Sequence, residues 1–192
     1  MVSITQARDI SVGELESRFD LQLATQDDFF GEWRRAPDAI TEIEQYQLKR
    51  LQENYENLSK RKGFSEESVK MVVLSPLLDI AGFYQAPFDL ATEEPIEIVS
   101  VDEGLTVRGK IDVLVVQNRF WALVVESKST QYDVLTALPQ GLAYMLGAPD
   151  KAQPAYGLLV NGREFVFIKL VHQPSPVYAR SFALSVERHD EL

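Results

Sequence analysis

Apolar residues recur every three to four positions in two early parts of the chain. Those at positions 40, 43, 51, 55 and 58 predict an amphipathic helix from about Asp38 to Gly63. A second helix is expected to begin after Ser65, because a serine followed by Glu66 and Glu67 suits a helix N-terminus. Gly82 is expected to end this helix.

Runs of β-branched and aromatic residues dominate the rest of the chain. They predict strands near 94–101, 104–116, 120–128, 155–160, 164–171 and 177–187, with a helix near 132–147. Asn161-Gly162 predicts a tight hairpin turn. The pattern therefore indicates an α/β fold with a central mixed β-sheet flanked by helices. Residues 1–63 are expected to form a mainly helical extension packed on a core of residues 64–192.

Composition supports one compact unit. The chain has 192 residues, 45% of them hydrophobic, which suffices for a sizeable core. It has no cysteine, so disulfides and thiolate metal sites are excluded and a cytoplasmic location is expected. The N-terminus lacks the pattern of a signal peptide, and no apolar run approaches the ~20 residues of a membrane span, so no membrane partner is expected. His172 and His189 are expected at the surface.

Two of the most apolar predicted strands carry charged residues. Asp112 lies within one of them, and Glu126 and Lys128 end the next. Burying an ionised group costs several kcal/mol unless a partner compensates. A divalent cation would be such a partner, and a cross-strand salt-bridge network is the alternative.

The spacing of these charges makes a geometric demand. Side chains alternate across a strand, so Glu126 and Lys128 share one face, as do Lys110 and Asp112. Asp112 joins Glu126 on one face only if the connection at residues 117–119 has odd length or a β-bulge interrupts the pairing. An unbroken two-residue turn would place Asp112 opposite Val125 instead.

The order of Asp112, a hairpin and Glu126-Ser127-Lys128 resembles the core motif of the PD-(D/E)xK nuclease superfamily. Further motifs make the chain similar to the N-terminal nuclease domain of type I restriction enzyme R subunits. The resemblance covers about residues 64–171, and Ile111 stands where the motif has proline. The further motifs are Gln140-x-x-x-Tyr144, Ala155 to Gly162, Glu67 to Lys70, and Leu74-Ser75-Pro76 with Gly82-Phe83.

This resemblance implies a restriction-endonuclease-like fold and Mg²⁺-dependent hydrolysis of DNA phosphodiester bonds, with Mn²⁺ able to substitute. Asp112, Glu126 and the backbone carbonyl of Ser127 would hold the metal, since hard cations prefer oxygen ligands. Lys128 would orient or deprotonate the attacking water, or offset charge on phosphorus, and the sequence leaves these roles open.

Other residues receive supporting roles from the same resemblance. Glu67 would reach the metal shell, although complementing its own helix dipole is an equal alternative. Gln140 and Tyr144, four apart on one helix face, would line the substrate groove. Arg108 and Lys110 are the candidate substrate-binding cations.

Net charge argues against a polyanionic substrate, because the formal charge is −10 and DNA affinity depends on basic residues. Residues 108–128 are locally basic, however, which permits a basic surface on an acidic body. The expected partner is DNA, with a homodimer or a larger restriction or repair complex as the expected assembly. The alternatives are an inactive nuclease-fold module that binds nucleic acid or protein, and an unrelated interaction domain.

Overall fold

One mixed β-sheet forms the centre of the computed structural model, which describes residues 3–35, 40–61, 63–101, 104–117 and 120–188. Helices flank the sheet, which confirms the expected α/β class. The strands of this described part of the chain are β1 (Ser3–Gln6), β2 (Gln22–Leu23), β3 (Phe88–Val99), β4 (Leu105–Gln117), β5 (Phe120–Ser127), β6 (Ala155–Val160), β7 (Glu164–Val171), β8 (Val177–Arg180) and β9 (Leu184–Ser185).

The helices are α1 (Val12–Phe19), α2 (Glu42–Ser59), α3 (Glu66–Val69), α4 (Ser75–Ile80) and α5 (Leu138–Leu146). A π-helical segment, Lys70–Leu74, joins α3 to α4, and short 3₁₀ helices cover Ala7–Asp9, Glu32–Arg34 and Val134–Ala137. Among the described residues, no helix has the length and apolar character needed to cross a membrane.

Helix ends follow the capping residues in the sequence. The first predicted helix begins after Thr41, whose side chain forms a capping box with Glu44, and it ends at Ser59, before Gly63. Asp38, its predicted start, lies outside the described residues. Ser65 caps α3 as predicted. Gly82, at φ +79°, follows α4 and confirms the predicted end of the second helix.

The strands run in the order β1-β4-β5-β6-β7-β8-β2, with β3 on β4 and β9 on β7. The pairs β1–β4, β5–β6 and β2–β8 are parallel and the others antiparallel. The predicted hairpin at Asn161-Gly162 joins β6 to β7, and Gly162 has φ +87°. The predicted strand at 177–187 is two separate strands, β8 and β9.

Apolar residues pack on both faces of the sheet. On one face, α1, α5 and the 3₁₀ helix Ala7–Asp9 cover a cluster that includes Leu142 and Ile168. On the other face, α2 and the helical residues 66–80 cover a cluster that includes Val73 and Val125. Lys70 of the second layer contacts Asp112 of β4, and Gln140 of the first layer contacts Lys128 just after β5. Both helical layers therefore reach the point where the pairing of β4 with β5 ends.

Residues 1–63 were expected to be mainly helical, and the structure also places two strands from this segment in the central sheet. Strand β1 pairs with β4 and β2 pairs with β8. Leu15 and Leu21 are buried in the same cluster as α5. The N-terminal segment therefore supplies two strands and a helix to the central core.

One histidine prediction is wrong. His172 is buried, with 8% of its surface exposed. Burial lowers its pKa to about 4, so it is neutral in the folded chain at physiological pH. His189 lies outside the described residues.

Candidate active site

A fork between two strands opens beside the middle of β4. Pairing with β1 ends at Arg108, and pairing with β5 begins at Val113. Both neighbours lie along one edge of β4, because β3 occupies the other edge over both stretches. Residues 109–112 therefore line a gap between β1 and β5. Lys110 and Asp112, two of the predicted site residues, lie in this gap.

A β-bulge sets the register that the site requires. Gln117 pairs with Phe120, which leaves a two-residue connection at 118–119, outside the described residues. The register then shifts: Val116 pairs with Trp121 but Val115 with Leu123, so Ala122 is the extra residue. Val113 consequently pairs with Val125, and Asp112 and Glu126 occupy the next position on each strand. The prediction of an odd loop or a bulge is confirmed.

The Asp112 carboxylate is held from two directions. Its Oδ2 accepts hydrogen bonds from the backbone N–H of Ser127 at 2.8 Å and from the Ser127 hydroxyl at 2.9 Å. Its Oδ1 accepts one from the Lys70 ammonium at 2.9 Å. The Asp112 side chain thus continues the contact between β4 and β5 beyond the last backbone pair, and it is 11% exposed.

Lys70 is a site residue that the sequence analysis missed. Besides Asp112, its ammonium lies 3.3 Å from Glu66, 3.5 Å from Glu67 and 3.8 Å from Glu93. Burial by itself lowers the pKa of Lys70, but the hydrogen bonds and charges of Asp112 and Glu66 together raise it above its ordinary value. Lys70 is therefore a fixed positive charge among four carboxylates.

Backbone irregularities surround this cation. Glu93, opposite Asp112 on β3, has φ +55°, a conformation that residues with side chains rarely adopt. Pairing between β3 and β4 resumes on each side of it, from Thr92 and from Glu94. Lys70 itself is the first residue of the π-helical segment. Such features often mark functional sites.

Glu126 is the most deeply buried charged residue of the described chain, with 2% of its surface exposed. Its Oε1 accepts a hydrogen bond from Lys128 at 2.5 Å, while its Oε2 is buried and has no hydrogen-bond partner among the described residues. Burial, and next the negative charge of Asp112, raise the pKa of Glu126 to about 8 against the opposing effect of Lys128. The two predicted metal ligands are therefore electrostatically coupled.

A chain of hydrogen bonds connects Lys128 to α5. The Lys128 ammonium donates to the Gln140 side-chain oxygen at 3.1 Å, and the Gln140 amide donates to the Tyr144 hydroxyl at 2.7 Å. The Tyr144 ring is 2% exposed and packs against Gly109, where a Cβ would lie 2.7 Å from the ring. Gln140 and Tyr144 thus share one helix face as predicted, and their arrangement fixes the Lys128 ammonium.

The predicted residues fall into two hydrogen-bonded groups at the point where the pairing of β4 with β5 ends. One group joins Asp112 to Ser127 and Lys70 on the α3 side, and the other joins Glu126 and Lys128 to α5. Glu67 is 79% exposed and reaches Lys70. Its neighbour Glu66 is the helix carboxylate whose charge contributes to the raised pKa of Glu126.

The donor atoms are suited to a hard divalent cation. Carboxylate oxygens are preferred ligands of Mg²⁺, and the unpartnered Oε2 of Glu126 is one. Asp112 Oδ1 could bind a cation only if the cation replaced the hydrogen bond that Lys70 donates to it. Within the described ranges, no three His, Cys, Asp or Glu side chains gather into a metal-binding group, so the two carboxylates and a backbone carbonyl would form the protein part of the site.

Comparison of the chain with models of known protein families and with curated proteins found no match. The resemblance to the nuclease superfamily therefore depends on the motifs and on the contacts described above.

Proposed function

We propose that this chain is a Mg²⁺-dependent nuclease of the PD-(D/E)xK type, with a restriction-endonuclease-like fold, that hydrolyses DNA phosphodiester bonds. The observation that carries the proposal is Glu126, a buried carboxylate with one oxygen unpartnered and a pKa raised to about 8. A group so costly to bury favours a functional explanation. A bound cation beside it would offset the burial and keep it ionised.

Each residue has a role that its contacts support. Asp112 and Glu126, with the Ser127 carbonyl, would hold Mg²⁺, which when bound supplies Lewis-acid activation of water and phosphate. Ser127 positions Asp112 through its N–H and hydroxyl. The Lys128 ammonium is held toward Glu126 by Gln140, where it can orient the attacking water or stabilise charge on the phosphate.

Removing the charge at two positions tests this proposal. Asp112→Asn and Lys128→Ala should each reduce cleavage of a supercoiled plasmid in Mg²⁺ by at least about 100-fold, since each removes a group from the reaction centre. Lys49→Ala, on the exposed surface of α2, is the matched control and should cleave like the wild type. Circular dichroism would verify the fold, and full activity in both site variants would refute the assignment.

One observation favours a second candidate, an inactive nuclease-fold module that binds nucleic acid or a protein. Lys70 and Ser127 already satisfy both oxygens of Asp112 without a metal. Mn²⁺ titration distinguishes the two functions. Binding that is lost in Asp112→Asn supports the nuclease, and absence of binding in the wild type supports the inactive module.

A further inference from the structure

A groove runs from Gln140 along β4, beside the fork between β1 and β5. Its volume is about 630 Å³. One end is bounded by Gln140 and Tyr144, which lead to Lys128, and the floor includes Gly109. The rest of the wall comes from β1, the following 3₁₀ helix, β3 and β4, and its charged residues are Arg8, Glu97, Arg108 and Lys110.

The charge of this groove is opposite to that of the whole chain. Arg8, Arg108 and Lys110 line it with Glu97 as the one carboxylate, whereas the chain as a whole carries −10. Arg108 and Glu97 are paired at 2.5 Å, and both are half-exposed. Arg8 is 76% exposed and lies 3.8 Å from Asp9. With Asp9 counted beside Arg8, three cations face two carboxylates, and this excess of one positive charge on an acidic protein is a local attraction for an anionic ligand.

The N-terminal segment completes this groove. Gln6 pairs with Arg108 in the last parallel pair of β1 and β4, so the chain leaves the sheet there, and Arg8 becomes part of the groove wall. The nearby Ala7 is buried with 2% exposed, which fixes this turn against the core. Arg8 lies outside the region that resembles the nuclease superfamily, and its position follows from the register of β1.

The lining suits a sugar–phosphate backbone better than bases. Of the described residues that line the groove, Tyr144 is the one aromatic, and its ring is 2% exposed. Base stacking requires an accessible ring, so the groove has no stacking platform. Guanidinium and ammonium groups with neighbouring amides are donors that phosphate oxygens accept.

We infer that this groove binds the phosphate backbone of a nucleic-acid strand as it enters the candidate active site, and that Arg8 is one of its phosphate contacts. The inference rests on the proposed function, because that function places the scissile phosphate beside Lys128. Binding should depend strongly on salt and weakly on base sequence.

Fluorescence anisotropy with a labelled DNA oligonucleotide in EDTA tests the groove without cleavage. Arg8→Ala, Arg108→Ala and Lys110→Ala should each weaken binding about fivefold at 0.1 M salt and reduce the slope of log K against log salt by about 0.7–0.9. Arg50→Ala, which removes the same charge from α2 beside a different pocket, is the matched control and should bind like the wild type.

The outcomes separate this inference from the proposed function. The inferred phosphate binding by the groove would be overturned by unchanged affinity and salt slope in the three groove variants. An equal loss of affinity in Arg50→Ala would overturn it too. Asp112→Asn should retain binding in EDTA while losing cleavage in Mg²⁺. If Asp112→Asn still cleaves DNA while the groove variants bind it weakly, the proposed active site is wrong but nucleic-acid binding by the groove is supported.

Discussion

Among single residues, Glu126 should make the free energy of unfolding depend on pH, because its pKa differs between the folded and unfolded chain. Its ordinary pKa is 4.5, and in the folded chain it is about 8. Between these pH values the folded state keeps a proton that the unfolded chain has released. Its contribution to stability is therefore fully present below about pH 4.5 and is lost as the pH rises through 8.

Glu126→Gln should remove this loss. The neutral amide has the same shape and no charge to bury, so we expect the variant to gain stability over the wild type as pH rises, reaching about 5 kcal/mol at pH 9. Thermal unfolding followed by circular dichroism from pH 5 to 9 measures the effect. Glu53→Gln, exposed on α2, is the control and should follow the wild type. An unchanged pH dependence in Glu126→Gln would contradict the raised pKa.

At the scale of elements, the contact between β4 and α5 depends on Gly109. A Cβ there would lie 2.7 Å from the Tyr144 ring and 2.9 Å from the Ala7 Cβ. Gly109→Ala should therefore cost about 1–3 kcal/mol of stability through overpacking. It should also displace Tyr144 and so lengthen the Gln140–Lys128 bond, reducing any activity of the site.

Chemical denaturation and cleavage assays check this prediction together. Gly13→Ala is the matched control, because its added methyl has no atom within 4 Å and lies in helix α1. The control should be as stable as the wild type or more stable. Wild-type stability in Gly109→Ala would show that α5 can move away without cost.

The sequence predicted these elements unevenly. Long β-branched runs such as 155–160 and 164–171 were predicted with their observed bounds. Placing Asp112 and Glu126 on one face of the sheet required either an odd-length loop or a bulge. Which of the two forms, here the bulge at Ala122, depends on strand twist and packing that the sequence pattern does not reveal. The short strand β1 has no periodic signal, although the capping box of Ser11 and Glu14 could have revealed α1.

Lys70 shows why the site was only partly predictable. The spacing from Glu66 and Glu67 indicates helix ion pairs, which is what periodicity can reveal. The bond from Lys70 to Asp112 depends on how α3 and the π-helical segment pack on β4, which is a tertiary property. The sequence therefore identified the strand residues of the site and missed the cation that faces them.

At the scale of the whole molecule, the N-terminal segment and the sheet share one core. Leu15 of α1 is fully buried in the same cluster as α5 and β7. Leu15→Ala should destabilise the protein by about 2–5 kcal/mol. Because the core is shared, the entire chain should unfold in one transition at lower denaturant concentration.

Urea unfolding followed by circular dichroism and by hydrogen exchange at β6 and β7 measures this effect. Ile43→Ala removes an aliphatic side chain that is 71% exposed, so it should leave the midpoint nearly unchanged. Separate transitions for the N-terminal segment and the sheet in Leu15→Ala would show that they fold independently.

The parallel pairings of β1 and β2 also govern how the molecule is made. Ser3 pairs with Leu105, and Gln22 pairs with Val177, so both strands are synthesised well before their partners. Contacts of such high sequence separation form slowly. On the ribosome, the edge strand β2 can pair only after β8 has emerged, so the nascent chain carries β2 unpaired while β3 to β7 are synthesised.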